Sequence, residues 1–98
     1  MIDSAEVERA VLQALENINQ SRPSDKQLDV SPTAVIFGPG SLLDSLGLVA
    51  LLIDLEDILR DAGLEVTLSD ERAVSQRSSP FRTVPTLTSY VLSLAERG

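Results

Sequence analysis

The sequence predicts an all-α protein, an irregular antiparallel four-helix bundle with a long first loop and a short third helix. Three observations lead there. Apolar residues recur at helical spacing in three separate stretches. Each of those stretches opens on a residue able to cap a helix. Aromatic residues make up only 3% of the chain, with two Phe, one Tyr and no Trp, so the core has to come from Leu, Val, Ile and Ala. That supply favours packed helices over a sheet. At 98 residues the chain is expected to form a single domain, 1–98, with a modest core.

The first helix is expected over Asp3 to Ile18. Asp3 and Glu6 have the spacing of a capping box, and Ser4 is an equally good cap. Val7, Ala10, Val11, Ala14, Leu15 and Ile18 make one apolar stripe, while Glu8, Arg9, Gln13 and Glu16 face away as a solvated side. Asn19 to Leu43 then forms a long connection. Ser21 to Asp25 reads as a mobile turn, and Leu28, Val30, Val35, Ile36 and Phe37 are available to pin the loop across the helices. Gly38-Pro39-Gly40 reads as a tight turn. A glycine-rich phosphate cradle is the other reading, but no Gly-Lys-Ser/Thr follows it.

Asp44 caps the second helix, because a short carboxylate can accept from the first free backbone N–H groups. Ser45 falls in its first turn. Leu46, Leu48, Val49, Leu51, Leu52, Ile53, Leu55, Ile58 and Leu59 follow, so this helix is apolar around most of its circumference. It is either central to the core or partly exposed for docking. Gly63 is the expected stop. Ser69 to Val74 can make the short third helix, and Ser75 to Arg82 is a polar loop with Phe81 turned inward. Thr83 caps the last helix, whose stripe is Val84, Leu87, Val91 and Leu94 with Tyr90 beside it. Pro85 is tolerated there because first-turn N–H groups have no partner inside the helix.

Composition excludes several function classes. The net charge is −7, which opposes binding to nucleic acid and to anionic membranes. It suits a basic protein partner. Residues 1–66 hold 12 acids and four bases, whereas residues 67–98 hold three acids and four bases, so the acidic field belongs to the first two helices. With no Cys and no His, thiolate and histidine metal sites and histidine-activated nucleophiles are excluded. No metal site and no catalytic residue is expected. Met1 to Glu6 lacks the basic and apolar regions of a signal peptide, and no apolar run reaches membrane-spanning length, so a cytoplasmic monomer is expected.

Asp44-Ser45-Leu46 at the head of a long apolar helix, with Val49, Leu51, Leu55 and Glu56 behind it, resembles the attachment motif of the acyl and peptidyl carrier proteins. The tripeptide alone is common; the flanking helices extend the resemblance over nearly the whole chain. The resemblance implies a carrier-type bundle and a 4′-phosphopantetheine arm on Ser45, with acyl or aminoacyl groups held on it as thioesters. It implies that Asp44 serves both as helix cap and in recognition by a phosphopantetheinyl transferase, which draws on coenzyme A and magnesium. Further partners are then acyl-loading and acyl-transferring enzymes with basic or apolar docking patches. They would meet Leu46, Val49, Asp54, Asp57 and Asp61, with Leu48 among the apolar groups near the arm. Acids common in that family two and five positions after the serine are here Gly47 and Ala50. The arm's surroundings are thus less acidic than usual, which points to a specialised fatty-acid, polyketide or related pathway.

Other readings stand beside this one. Ser45 could simply help Asp44 cap the helix. The chain could be an unmodified helical interaction module docking through its second helix. Asp54 and Asp57, three apart, could form a catalytic carboxylate pair, although no further polar catalytic group converges on them.

Overall fold

A computed structural model describes residues 3–37, 43–68 and 81–97 of the chain. Over these residues the protein is all-helical. Three α-helices, α1 (Ser4–Asn19), α2 (Ser45–Asp61) and α3 (Val84–Arg97), are joined by irregular connections with one short 3₁₀ turn at Ser24–Lys26. The fourth, short helix expected at Ser69 to Val74 lies outside the described residues, as do the Gly38-Pro39-Gly40 turn and the polar part of the loop ahead of Phe81.

Each helix starts where a side chain can replace the missing intrahelical acceptor. Asp3, not Ser4, caps α1: its Oδ1 accepts from the Glu6 N–H at 2.9 Å. Asp44 Oδ1 does the same for the Gly47 N–H at 2.7 Å. At α3 the exchange is reciprocal. Thr83 Oγ1 accepts from the Thr86 N–H at 3.2 Å, and the Thr83 N–H donates to Thr86 Oγ1 at 3.0 Å. This is a capping box with threonine at the position glutamate commonly takes. The end of α2 is equally defined. Gly63, at φ +93°, supplies the left-handed residue. Its N–H donates to Arg60 O at 3.0 Å, and the Leu64 N–H reaches back to Leu59 O at 2.9 Å, which is a Schellman motif.

Helix α1 packs against both α2 and α3. It runs antiparallel to α2: Asn17, near its end, hydrogen-bonds Asp54, while Ala10 and Gln13 share a surface groove with Ile58 and Ala62. The core draws on all three helices. Val7, Val11, Ala14 and Leu15 of α1 meet Leu48, Leu51, Leu52, Leu55 and Leu59 of α2 and Val84, Leu87 and Val91 of α3 in one buried cluster. Phe81 turns inward as expected and meets Tyr90 edge to face, with ring centroids 5.6 Å apart.

The first loop is fastened at two places. The Asn19 side chain holds Leu28 like a partner strand, Oδ1 accepting from the Leu28 N–H at 2.7 Å and Nδ2 donating to Leu28 O at 3.0 Å. Gln27 Nε2 donates to the carbonyls of Asn19 and Arg22. The segment expected as a mobile turn is therefore tied to the end of α1. Further on, Val35 and Thr83 form an antiparallel bridge. Ile36 and Phe37 both donate to Arg82 O, and Val84 donates to Ala34 O. Leu28, Ala34 and Ile36 are buried, as pinning requires, but Val35 alternates outward.

Candidate functional site

The first turn of α2 is built by its neighbours on both sides of the cap. Leu43, just before Asp44, and Leu48, four residues into the helix, stand at the positions of a hydrophobic staple, and both belong to the buried core. The Asp44 carboxylate takes the Gly47 N–H, and the Asp44 carbonyl takes the Leu48 N–H at 2.8 Å. Ser45 is thereby the first residue of a helix whose start is fixed from the inside. On the outside the turn is open, because Asp44 is exposed and Leu46 is 81% exposed. The first turn contains no acidic residue, so within it the partial positive charge of the helix start is offset by the capping carboxylate alone.

The residues expected to meet partners separate into three groups. Leu46 faces solvent, and Ala50, Ile53 and Asp57 continue its line at intervals of four, three and four residues. Ala50 is exposed and Ile53 is 48% exposed. Ile53 was not read as a partner contact from the sequence, and Ala50 was noted there only as a missing acid, although the spacing from Leu46 carried the signal. Asp57 pairs with Arg60 Nη1 at 3.1 Å on the open surface, and Asp61 is exposed beyond it. Val49 is half-buried at the margin of the stripe. Asp54 turns toward α1, where its Oδ2 accepts from Asn17 Nδ2 at 3.0 Å. Leu48 corrects an expectation: it lies wholly within the core and offers nothing to a partner.

The two carboxylates weighed as a catalytic pair have different partners, Asp54 being engaged by Asn17 and Asp57 by Arg60. Glu56 accepts from the Leu68 N–H and so ties the connection after α2 back to the helix. Among the described residues no cluster of acids is placed to hold a metal ion, and no helix is long and apolar enough to cross a membrane.

A covalently attached phosphodiester would suit this turn. The N–H groups of Ser45 and Leu46 precede the first possible intrahelical bond, so no carbonyl of the helix takes them and they can serve an anion. Searches against protein-family models, curated proteins and solved structures find no match to this chain.

Proposed function

We propose that the chain is a carrier of acyl or aminoacyl groups, bound as thioesters to a 4′-phosphopantetheine arm on Ser45. The observation that carries this reading is the attachment turn: Ser45 opens a capped helix between exposed Asp44 and an 81% exposed Leu46. The three described helices would be the long members of a carrier-type four-helix bundle. The chain has no histidine, so it lacks the usual side chain for deprotonating a serine. A phosphopantetheinyl transferase is accordingly the catalyst, and the carrier is its substrate. In that transfer a bond forms between Ser45 Oγ and the phosphorus that bears the pantetheine in coenzyme A. The bond from that phosphorus to adenosine 3′,5′-bisphosphate breaks. The leaving group takes the electron pair, and the serine proton passes to a base of the transferase. Once attached, the arm supplies the thiol on which acyl groups travel.

The protein's own residues orient this exchange. Asp44 holds the turn, the first-turn N–H groups favour the phosphodiester by about 0.3–1 kcal/mol, and Leu46 offers apolar area beside the serine. The stripe from Leu46 through Ala50 and Ile53 to Asp57 would meet an enzyme surface that is apolar near the arm and basic farther along. A cytoplasmic monomer serving a specialised fatty-acid, polyketide or related pathway fits this surface. The same stripe favours a second reading, an unmodified interaction module.

Intact mass separates the two. With coenzyme A, magnesium and a broad-specificity transferase, the wild-type chain should gain one phosphopantetheine and Ser45→Ala none. Labelling that persists in Ser45→Ala would move the site to Ser41 or another serine. A chain that gains nothing would leave the interaction module.

A further inference from the structure

Gly47 is the third residue of α2 and has no side chain, and the space a side chain would need is already taken. A Cβ there would stand 2.7 Å from Leu43 Cδ1 and 3.2 Å from Leu43 Cγ. The same point is 3.2 Å from Asp44 Oδ1. Leu43 is 5% exposed and belongs to the core, so its methyl can give way only by shifting against its core neighbours. The carboxylate is the one that takes the Gly47 N–H and starts the helix. Any side chain at 47 must displace the buried leucine or the cap, and these are the two groups that fix the backbone on either side of Ser45.

We propose that Gly47 is a positioning residue for the attachment serine: by leaving its space to Leu43, it lets that side chain fold across the first turn of α2 and hold Asp44 and Ser45 in one arrangement. This rests on the carrier reading. It explains why glycine stands here although alanine has the higher helix propensity. It also sets specificity, because an acid at 47 would have to break the same packing. A partner that reads charge two residues after the serine is therefore excluded by the core as well as by the sequence. Ala50 is exposed and under no such constraint.

The test combines Gly47→Ala, Leu43→Ala and the double variant, with Leu43→Val, which removes the closest methyl, as a milder relief. Each is checked by circular dichroism and thermal unfolding, then assayed for phosphopantetheine transfer with kcat and KM resolved. Small misplacements of a reacting group cost large rate factors, on the order of 10²-fold for about 1 Å. Gly47→Ala should therefore lower kcat/KM by about tenfold or more, chiefly in kcat, in a chain that remains folded. Added to Leu43→Ala it should change the rate by less than about twofold, since the obstacle is gone. Modification of Gly47→Ala at the wild-type rate, or an equal loss in both backgrounds, overturns the proposal. A wild-type chain that is never modified overturns the carrier reading and the positioning role with it. The packing itself is then judged by unfolding alone. Gly47→Ala should lower the midpoint in wild type and raise it beside Leu43→Ala, and the same shift in both backgrounds removes the Leu43 contact too.

Discussion

Helices α2 and α3 begin with the same device and come out differently. Each is capped by a side-chain oxygen on the N–H three residues ahead, Asp44 on Gly47 and Thr83 on Thr86. Around Thr83 the structure closes. Thr86 returns the bond, Arg82 accepts from Ile36 and Phe37, and Val84 donates to Ala34. The start of α3 is thus held both by its own box and by the first loop. Around Asp44 the described residues give support from one side, with Leu43 and Leu48 beneath, while Asp44 and Leu46 are exposed. A cap fixes where a helix begins; the neighbouring segments decide whether that beginning is part of the scaffold or is presented outward. The candidate site sits at the start left open.

The sharpest contrast is between two leucines of that same turn region. Leu48 is fully buried, so Leu48→Ala should destabilise the fold by about 2–5 kcal/mol through lost transfer energy and the cavity left behind. Urea unfolding measures it. A loss below about 1 kcal/mol would mean that the inner side of the α2 start is not held as described.

The two caps come next. Asp44→Ala and Thr83→Ala should each cost about 0.5–2 kcal/mol. They should differ in salt dependence. The Asp44 carboxylate interacts with the helix dipole, which salt screens, whereas the Thr83 hydroxyl is neutral. Unfolding in low and high salt should shrink the Asp44→Ala penalty and leave the Thr83→Ala penalty unchanged. Equal salt responses would erase the electrostatic half of the comparison.

A smaller effect lies inside α3. The Thr88 hydroxyl is buried and has no hydrogen-bond partner among the described residues. Burying such a group carries a desolvation penalty of about 1–3 kcal/mol, and an apolar residue of the same shape removes it. Thr88→Val should therefore stabilise the protein by about 1 kcal/mol in the same unfolding assay. Destabilisation would reveal a partner for this hydroxyl that the packing of α3 does not provide.

Thr88 also marks where the sequence stops being legible. The stripe Val84, Leu87, Val91 and Leu94 was readable because helical spacing is local, and the buried threonine beside it carried no such signal. The same division runs through the chain. The caps at Asp44 and Thr83 and the stop at Gly63 follow from residue types a few positions apart, so they could be read directly. The bridge of Val35 to Thr83, the grip of Asn19 on Leu28 and the bond from Asn17 to Asp54 join residues whose sequence neighbourhoods say nothing of each other. At the candidate site, the Asp44 cap, the helix start at Ser45 and the exposure of Leu46 were legible from their order. The inward turn of Leu48 was not, because α2 is apolar on nearly every side and the moment of such a helix points weakly. Nor could the contact of Leu43 with the space above Gly47 be read, since it depends on a rotamer set by the core.

The smallest change in stability should come from Leu46→Ala, and it is the change that tests the open face. A residue 81% exposed has little burial to lose, so stability should stay within about 0.5 kcal/mol of wild type. Binding is another matter if a partner covers this side chain. Fully removing a leucine's area from water contributes about 1.5–3 kcal/mol, which corresponds to roughly 10- to 100-fold in affinity. Exposed ion pairs contribute about 0.2–1 kcal/mol each. Asp57 already has Arg60 as a partner on the open surface, and Asp54 is turned to Asn17. Leu46→Ala should therefore weaken the transferase or another cognate enzyme more than Asp57→Asn or Asp54→Asn, and affinity should fall only shallowly across a salt series. A steep loss with salt beside a near-neutral Leu46→Ala would mean that acids farther along α2 govern docking. The open start of the helix would then present the serine without contributing to how partners are held.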